Sequence, residues 1–202
     1  MSNSANYDEI GAEIIALKDA DLQLRSRLMK SGRLNEGYDA EMNELHDANA
    51  DALNEIIDSI GYPTTDKVGK EASEAAWLVI QHAIGKPDFL RKCARLLEEA
   101  VAAGDANPVG LAYLTDRIAV FEEQPQRYGT QFDWREDGQL WPQACDDLVL
   151  VDERRKAIGL NTLAEQTKLI RYQAEQENHS PPSDLTQRTQ ALREWKERVG
   201  WL

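Results

Sequence analysis

The sequence predicts a mainly α-helical protein: a multi-helix orthogonal or bundle domain with an N-terminal helical hairpin and a small β-hairpin or extended flap. Three observations carry this expectation. Apolar residues recur at steps of three and four through most of the chain, glycine or proline punctuates the ends of those runs, and only the stretch from Arg127 to Trp141 breaks the helical period. With 202 residues the chain is long enough for one full core and an appended element. Its 42% apolar and 29% charged residues exclude wholesale disorder.

The first helix is read from Tyr7 to Leu28, where Tyr7, Ile10, Ile14, Leu17, Leu24 and Leu28 form one seam that Asp21 alone interrupts. A second runs from about Asp39 to Ile60 and stops at Gly61. The short connection near Leu34 makes the two an antiparallel hairpin, which sets Asp21 level with His46, Asp47 and Asn49. Such a polar layer either fixes the register of the helices or holds His46 on Asp21 for proton transfer. The second helix carries an acidic face that includes Asp51, Glu55 and Asp58.

Tyr62-Pro63 turns the chain into a third helix, Val68 to Ile84, whose apolar middle (Ala75 to Ile80) marks it as the central element. Lys86-Pro87 opens a fourth, to about Ala103, and Asn107-Pro108 a fifth, with Leu111, Leu114, Ile118 and Phe121 on one face. Arg135-Glu136-Asp137-Gly138 is the turn of the expected hairpin or flap. Further helices follow from Asp147 and from a Thr162–Glu165 capping box. The expected organisation is therefore a helical domain over residues 1–173, with the hairpin at 7–60, a core at 66–124, the flap at 125–145 and helices at 147–173. A polar linker spans 174–184, and a C-terminal helix, 185–202, docks its tryptophans on its own domain or on a second copy of the chain.

Composition narrows the function. A net charge of −13 repels phosphate backbones and anionic lipid, so neither nucleic acid nor a membrane is expected as a partner. The amino terminus has no basic start followed by an apolar run, and the chain reads as cytoplasmic. Cys93 and Cys145 lack disulfide or zinc-ligand spacing. His46, His82 and His179 lie in different settings, so no histidine-rich metal site is expected, which leaves carboxylate-bound magnesium open, and Val68-Gly69-Lys70-Glu71 lacks the glycine and hydroxyl pattern of a phosphate-binding loop.

His82 is the candidate acid or base, since it ends the most apolar helix. Asp116 and Arg117 lie beside the apolar stripe of the fifth helix, where an aspartate can orient an imidazole and an arginine can hold an anion bidentately; an ion pair clamping helices is the structural alternative. Tyr128, Thr130 and Gln131 bring hydroxyls and an amide onto a loop freed by Gly129, either to contact a polar ligand or to edge a hairpin.

The segments AAWLVIQHA (Ala75 to Ala83), LAYLTDRIAV (Leu111 to Val120), PQRYGTQF (Pro125 to Phe132) and VDERRKAIGL (Val151 to Leu160) resemble a bacterial family known as a domain of unknown function. The likeness runs from the second helix to about Leu163. It marks Gln81, His82, Asp116, Arg117, Tyr128, Gly129, Thr130 and Gln131 as motif positions and implies no particular activity or cofactor. The resulting expectation is an enzyme for a small polar, anionic substrate, with His82 as acid or base, Asp116 orienting it, and Gln81, Arg117, Tyr128, Thr130 and Gln131 binding the substrate. The alternative is a non-catalytic interaction module built on the acidic second helix and the Trp195-bearing C-terminal helix, the latter also a surface for homo-oligomers.

Overall fold

The computed structural model describes residues 6–32 and 39–202, so the turn expected near Leu34 lies outside the described residues. Helices dominate, joined by one two-stranded antiparallel sheet, and the chain forms two compact units, Met1–Asn107 and Pro108–Leu202. Among the described residues no helix is long and apolar enough to cross a membrane.

The first unit contains α1 (Tyr7–Lys30), α2 (Ala40–Ile60), α3 (Thr65–Val68), α4 (Lys70–His82) and α5 (Pro87–Ala103). The single helix expected over Val68 to Ile84 is split in two, because Gly69 adopts φ +82°, a left-handed conformation that ends α3 and begins α4. α1 and α2 run antiparallel: moving down α1, Leu17, Asp21 and Arg27 meet Asn49, His46 and Glu41 in turn. α1 and α4 instead run side by side in the same direction. Gly11 sits against Ala72, and ten residues further along each helix Asp21 meets His82. The glycine and the α4 alanines, of which Ala72, Ala75 and Ala76 are buried, let the two backbones approach closely.

Ile14, Leu24, Leu28, Leu53, Ile57 and Ile80 supply much of the apolar interior, and α5 adds Leu90, Cys93 and Leu97. The acidic face of α2 finds its counter-charges within the unit. Lys86 Nζ lies 2.9 Å from both oxygens of Asp51, and Lys92 Nζ donates to Asp58 Oδ1 at 2.6 Å and Asn54 Oδ1 at 2.7 Å.

The second unit contains α6 (Pro108–Phe121), β1 (Phe132–Trp134), β2 (Leu140–Pro142), α7 (Leu148–Ala157), α8 (Leu163–Gln176) and α9 (Leu185–Val199). The hairpin pairs Phe132 with Pro142, Asp133 with Trp141 and Trp134 with Leu140. Arg171 of α8 fastens it, donating to the Leu140 carbonyl at 2.9 Å while its guanidinium covers the Trp141 ring at 4.2 Å. The Thr162–Glu165 capping box forms as expected. α8 continues to Gln176, past the expected linker boundary at 174, because Ala174 is buried and extends the packed face. The C-terminal segment docks within this unit: Trp201 stacks on Phe121 at 5.0 Å, Trp195 lies 5.8 Å from the same ring, and Lys196 Nζ donates to the Val120 carbonyl at 3.0 Å.

Candidate functional site

Asp21 is the point where three helices of the first unit meet. It interrupts the apolar seam of α1, so its carboxylate faces the interior and is fully buried. A lone buried carboxylate is costly, and two imidazoles compensate it. His82 Nδ1, from the last residue of α4, lies 2.5 Å from Asp21 Oδ2, and His46 Nε2, from α2, lies 3.4 Å from the same oxygen. The two rings are 4.9 Å apart between centroids and tilted by 37°. Burial by itself would raise the Asp21 pKa; the neighbouring imidazoles of His46 and His82 outweigh it and hold the carboxyl well below the ordinary carboxylate range.

Register fixation does not require this cluster. Asn49 already crosses from α2 to α1, its Nδ2 donating to the Leu17 carbonyl at 3.0 Å one turn away. A second imidazole on one carboxylate exceeds what a register pin needs, and Asp21 Oδ1 is buried with no hydrogen-bond partner among the described residues. His46 is 6% exposed and the His82 side chain 28%, so His82 is the member that meets solvent. With Nδ1 on Asp21, the ring nitrogen left for a ligand is Nε2. Asp21, His46 and His82 also offer ligand atoms that all lie within 4.8 Å of one another, a set that can hold a metal ion.

Next to this cluster the chain passes close to α2. A Cβ on Gly85 would lie 2.6 Å from Asp47 Oδ1, so only glycine lets the turn after His82 lie against that carboxylate. Burial raises the Asp47 pKa above its ordinary value. Gln81, expected to bind substrate, is 3% exposed within α4.

The remaining sequence candidates, Asp116 among them, belong to the second unit, and the carboxylate found at His82 Nδ1 is that of Asp21. Asp116, 1% exposed on α6, accepts from the Arg127 amide at 2.9 Å, the Tyr128 amide at 3.2 Å, the Thr130 amide at 2.9 Å and the Thr130 hydroxyl at 3.0 Å. The motif around Tyr128 to Gln131 is thus wound around one carboxylate. Gln126, fully buried, continues the pattern: its Oε1 accepts from the Gln131 amide at 2.7 Å, and its Nε2 donates to the Gln131 and Gln143 carbonyls at 3.0 and 3.1 Å. Gln131 Nε2 donates to Thr130 Oγ1 at 3.0 Å. Arg117 is partly buried, and burial lowers its pKa.

Arg155 closes the loop from the far side. It is 1% exposed and donates to the Tyr128 and Asn161 carbonyls and to Asn161 Oδ1, at 2.8, 2.6 and 2.9 Å. Arg155 was not among the sequence candidates; its place inside a motif segment, Val151 to Leu160, was the available signal. His46 was weighed as a proton-transfer residue on Asp21, but the third partner, His82, required the parallel α1–α4 pairing that helical periodicity does not encode.

Residues 8–175 match the model of a family of unknown function, DUF6624, and the chain belongs to that family. The match extends the sequence resemblance in both directions, taking in α1 with Asp21 and nearly all of α8. Neither the curated proteins nor the solved structures contain a match to the chain.

Proposed function

We infer that this member of a family of unknown function is an enzyme for a small polar or anionic substrate, with His-assisted acid/base chemistry centred on Asp21 and His82. One observation carries the reading: an imidazole at a helix end, part exposed, held through Nδ1 at 2.5 Å by a fully buried carboxylate. The arrangement supports a division of roles. Asp21 fixes the ring orientation and the tautomer with the proton on Nδ1, which leaves the Nε2 lone pair to take a proton from a bound substrate. Asp21 also stabilises the imidazolium formed when Nε2 accepts that proton, and the ring then returns the proton to a leaving or product atom. His46, with Nε2 3.4 Å from the same oxygen, packs beside the carboxylate and limits how far Asp21 can turn away. Burial of Asp21 in low-dielectric surroundings strengthens its grip on the ring.

The test is a conversion screen. Purified protein is incubated with a small-molecule extract, and mass spectrometry follows which polar metabolites are consumed or formed. The expected result is a compound converted by the wild type, lost in H82Q and strongly reduced in D21N, with both variants folded by circular dichroism. Conversion by H82Q at the wild-type rate, or no conversion by either protein across the extract, would overturn the reading.

A further inference from the structure

We propose that Asp21, His46 and His82 together bind one divalent transition-metal ion, an inference that rests on reading this cluster as the reactive centre. Three features of the cluster support it. The donor set is two imidazoles and one carboxylate, the combination that suits zinc, iron(II), cobalt or manganese and leaves coordination positions open, whereas magnesium and calcium favour all-oxygen shells. The spacing is near what an ion needs: bonds of about 2.0–2.1 Å in a tetrahedral shell place ligand atoms roughly 3.3 Å apart. His46 Nε2 and Asp21 Oδ2 already stand at 3.4 Å, while the 2.5 Å contact between His82 Nδ1 and Asp21 Oδ2 has to open.

The third feature is Asp21 Oδ1, fully buried without a hydrogen-bond partner among the described residues, an acceptor that a cation beside the carboxylate would satisfy. His82 also ends α4, where the helix dipole favours positive charge. Entry of the ion takes the Nδ1 lone pair of His82, and the proton that Nδ1 shared with Asp21 passes by way of solvent to Nε2 of the same ring, which stays neutral. The loaded site then carries one net positive charge, from a dication and a single carboxylate with two neutral imidazoles. That charge selects an anionic group, a carboxylate or phosphate oxygen, for the open position, while His82 Nε2, protonated once the ion holds Nδ1, becomes a donor beside it.

The experiment uses the full chain, stripped with a chelator and titrated with Co2+ and, separately, Zn2+. The expected result is one equivalent bound, with visible Co2+ absorption of imidazole–carboxylate coordination. H46Q and H82Q each weaken binding at least tenfold, while H179Q, changed at an exposed histidine paired with Glu177, binds as the wild type does. Should H46Q fail to fold, nitrogen NMR of the wild type reads the same contact: Zn2+ shifts the ring nitrogens of both His46 and His82. Absence of saturable one-to-one binding, binding indifferent to both substitutions, or unshifted imidazole nitrogens would each overturn the proposal. Conversion that depends on His82 without any Co2+ binding removes the ion and leaves the acid/base reading. Co2+ binding with conversion indifferent to H82Q does the reverse.

Discussion

Replacing Asp116 by asparagine tests whether the Tyr128–Gln131 motif is held by that side chain. The carboxylate accepts four donors: Arg127 N on Oδ1, Tyr128 N between the two oxygens, and both the amide and the hydroxyl of Thr130 on Oδ2. Asparagine keeps one oxygen. Its better orientation retains the two Thr130 bonds and turns an NH2 group toward the Arg127 amide, which loses one charge-assisted bond and sets two donors face to face. A hydrogen bond to a charged group contributes about 1.5–3 kcal/mol, and a buried donor left unpaired costs about 1–3 kcal/mol. Arg127 is exposed, so water can recover part of this, and the expected loss is about 2–3 kcal/mol. Asp116→Ala orphans all four donors and should cost more, a large share of the 5–15 kcal/mol typical of a domain. Urea unfolding gives the energies, and hydrogen exchange at the amides of Arg127, Tyr128 and Thr130 gives the location. If D116N unfolded within about 0.5 kcal/mol of the wild type, with those three amides equally protected, the carboxylate would not be what holds the loop.

Gly129 has φ +64°, and a Cβ there would lie 2.8 Å from Leu163 Cδ1 and 3.3 Å from Cys145 Sγ. G129A should therefore lose about 2 kcal/mol or more in urea unfolding, and a neutral substitution would contradict the loop packing. The Asp21 carboxyl is held below its ordinary value when folded, so its pairing contributes stability above the unfolded carboxylate pKa, near 4. That contribution is lost as pH falls below this value. Unfolding free energies measured from pH 6 to pH 2 should fall more steeply in the wild type than in D21N, and parallel acid limbs would refute the pairing. The Cys93 thiol is fully buried and burial pushes its pKa up to about 12, so the neutral form is favoured in the fold; this preference supports stability below the unfolded thiol pKa, near 8.5, and weakens as pH rises above it. At pH 8 a thiol reagent should label Cys93 only as fast as the unit opens, more slowly than the half-buried Cys145, and equal rates would refute that burial.

Local signals in the sequence located most of the helices because each depends on near neighbours: Pro87 and Pro108 at helix starts, Gly61 after a helix end, and the Thr162–Glu165 box. The break at Gly69 was less legible, since the apolar period continues through it and only the backbone angle reveals the kink. The antiparallel register of α1 and α2 was readable from the interruption of a seam at Asp21, which put His46 beside it. What periodicity lacks is the order of helices around a core. Nothing in the spacing of α4 says that it runs alongside α1 from Gly11 and Ala72 to Asp21 and His82. The same gap explains the loop of the second unit: Tyr128, Thr130 and Gln131 look like ligand contacts in isolation, and only the folded chain shows Asp116, Gln126 and Arg155 engaging its backbone.

The most direct test of the Asp21–His82 centre is nitrogen–proton correlation NMR of the histidine rings in chelator-treated, metal-free protein near neutral pH. The structure requires a hydrogen-bonded, strongly downfield proton on His82 Nδ1 that disappears in D21N and persists in D116N. A His82 ring carrying its only proton on Nε2, or an Nδ1 signal indifferent to D21N, would contradict the account.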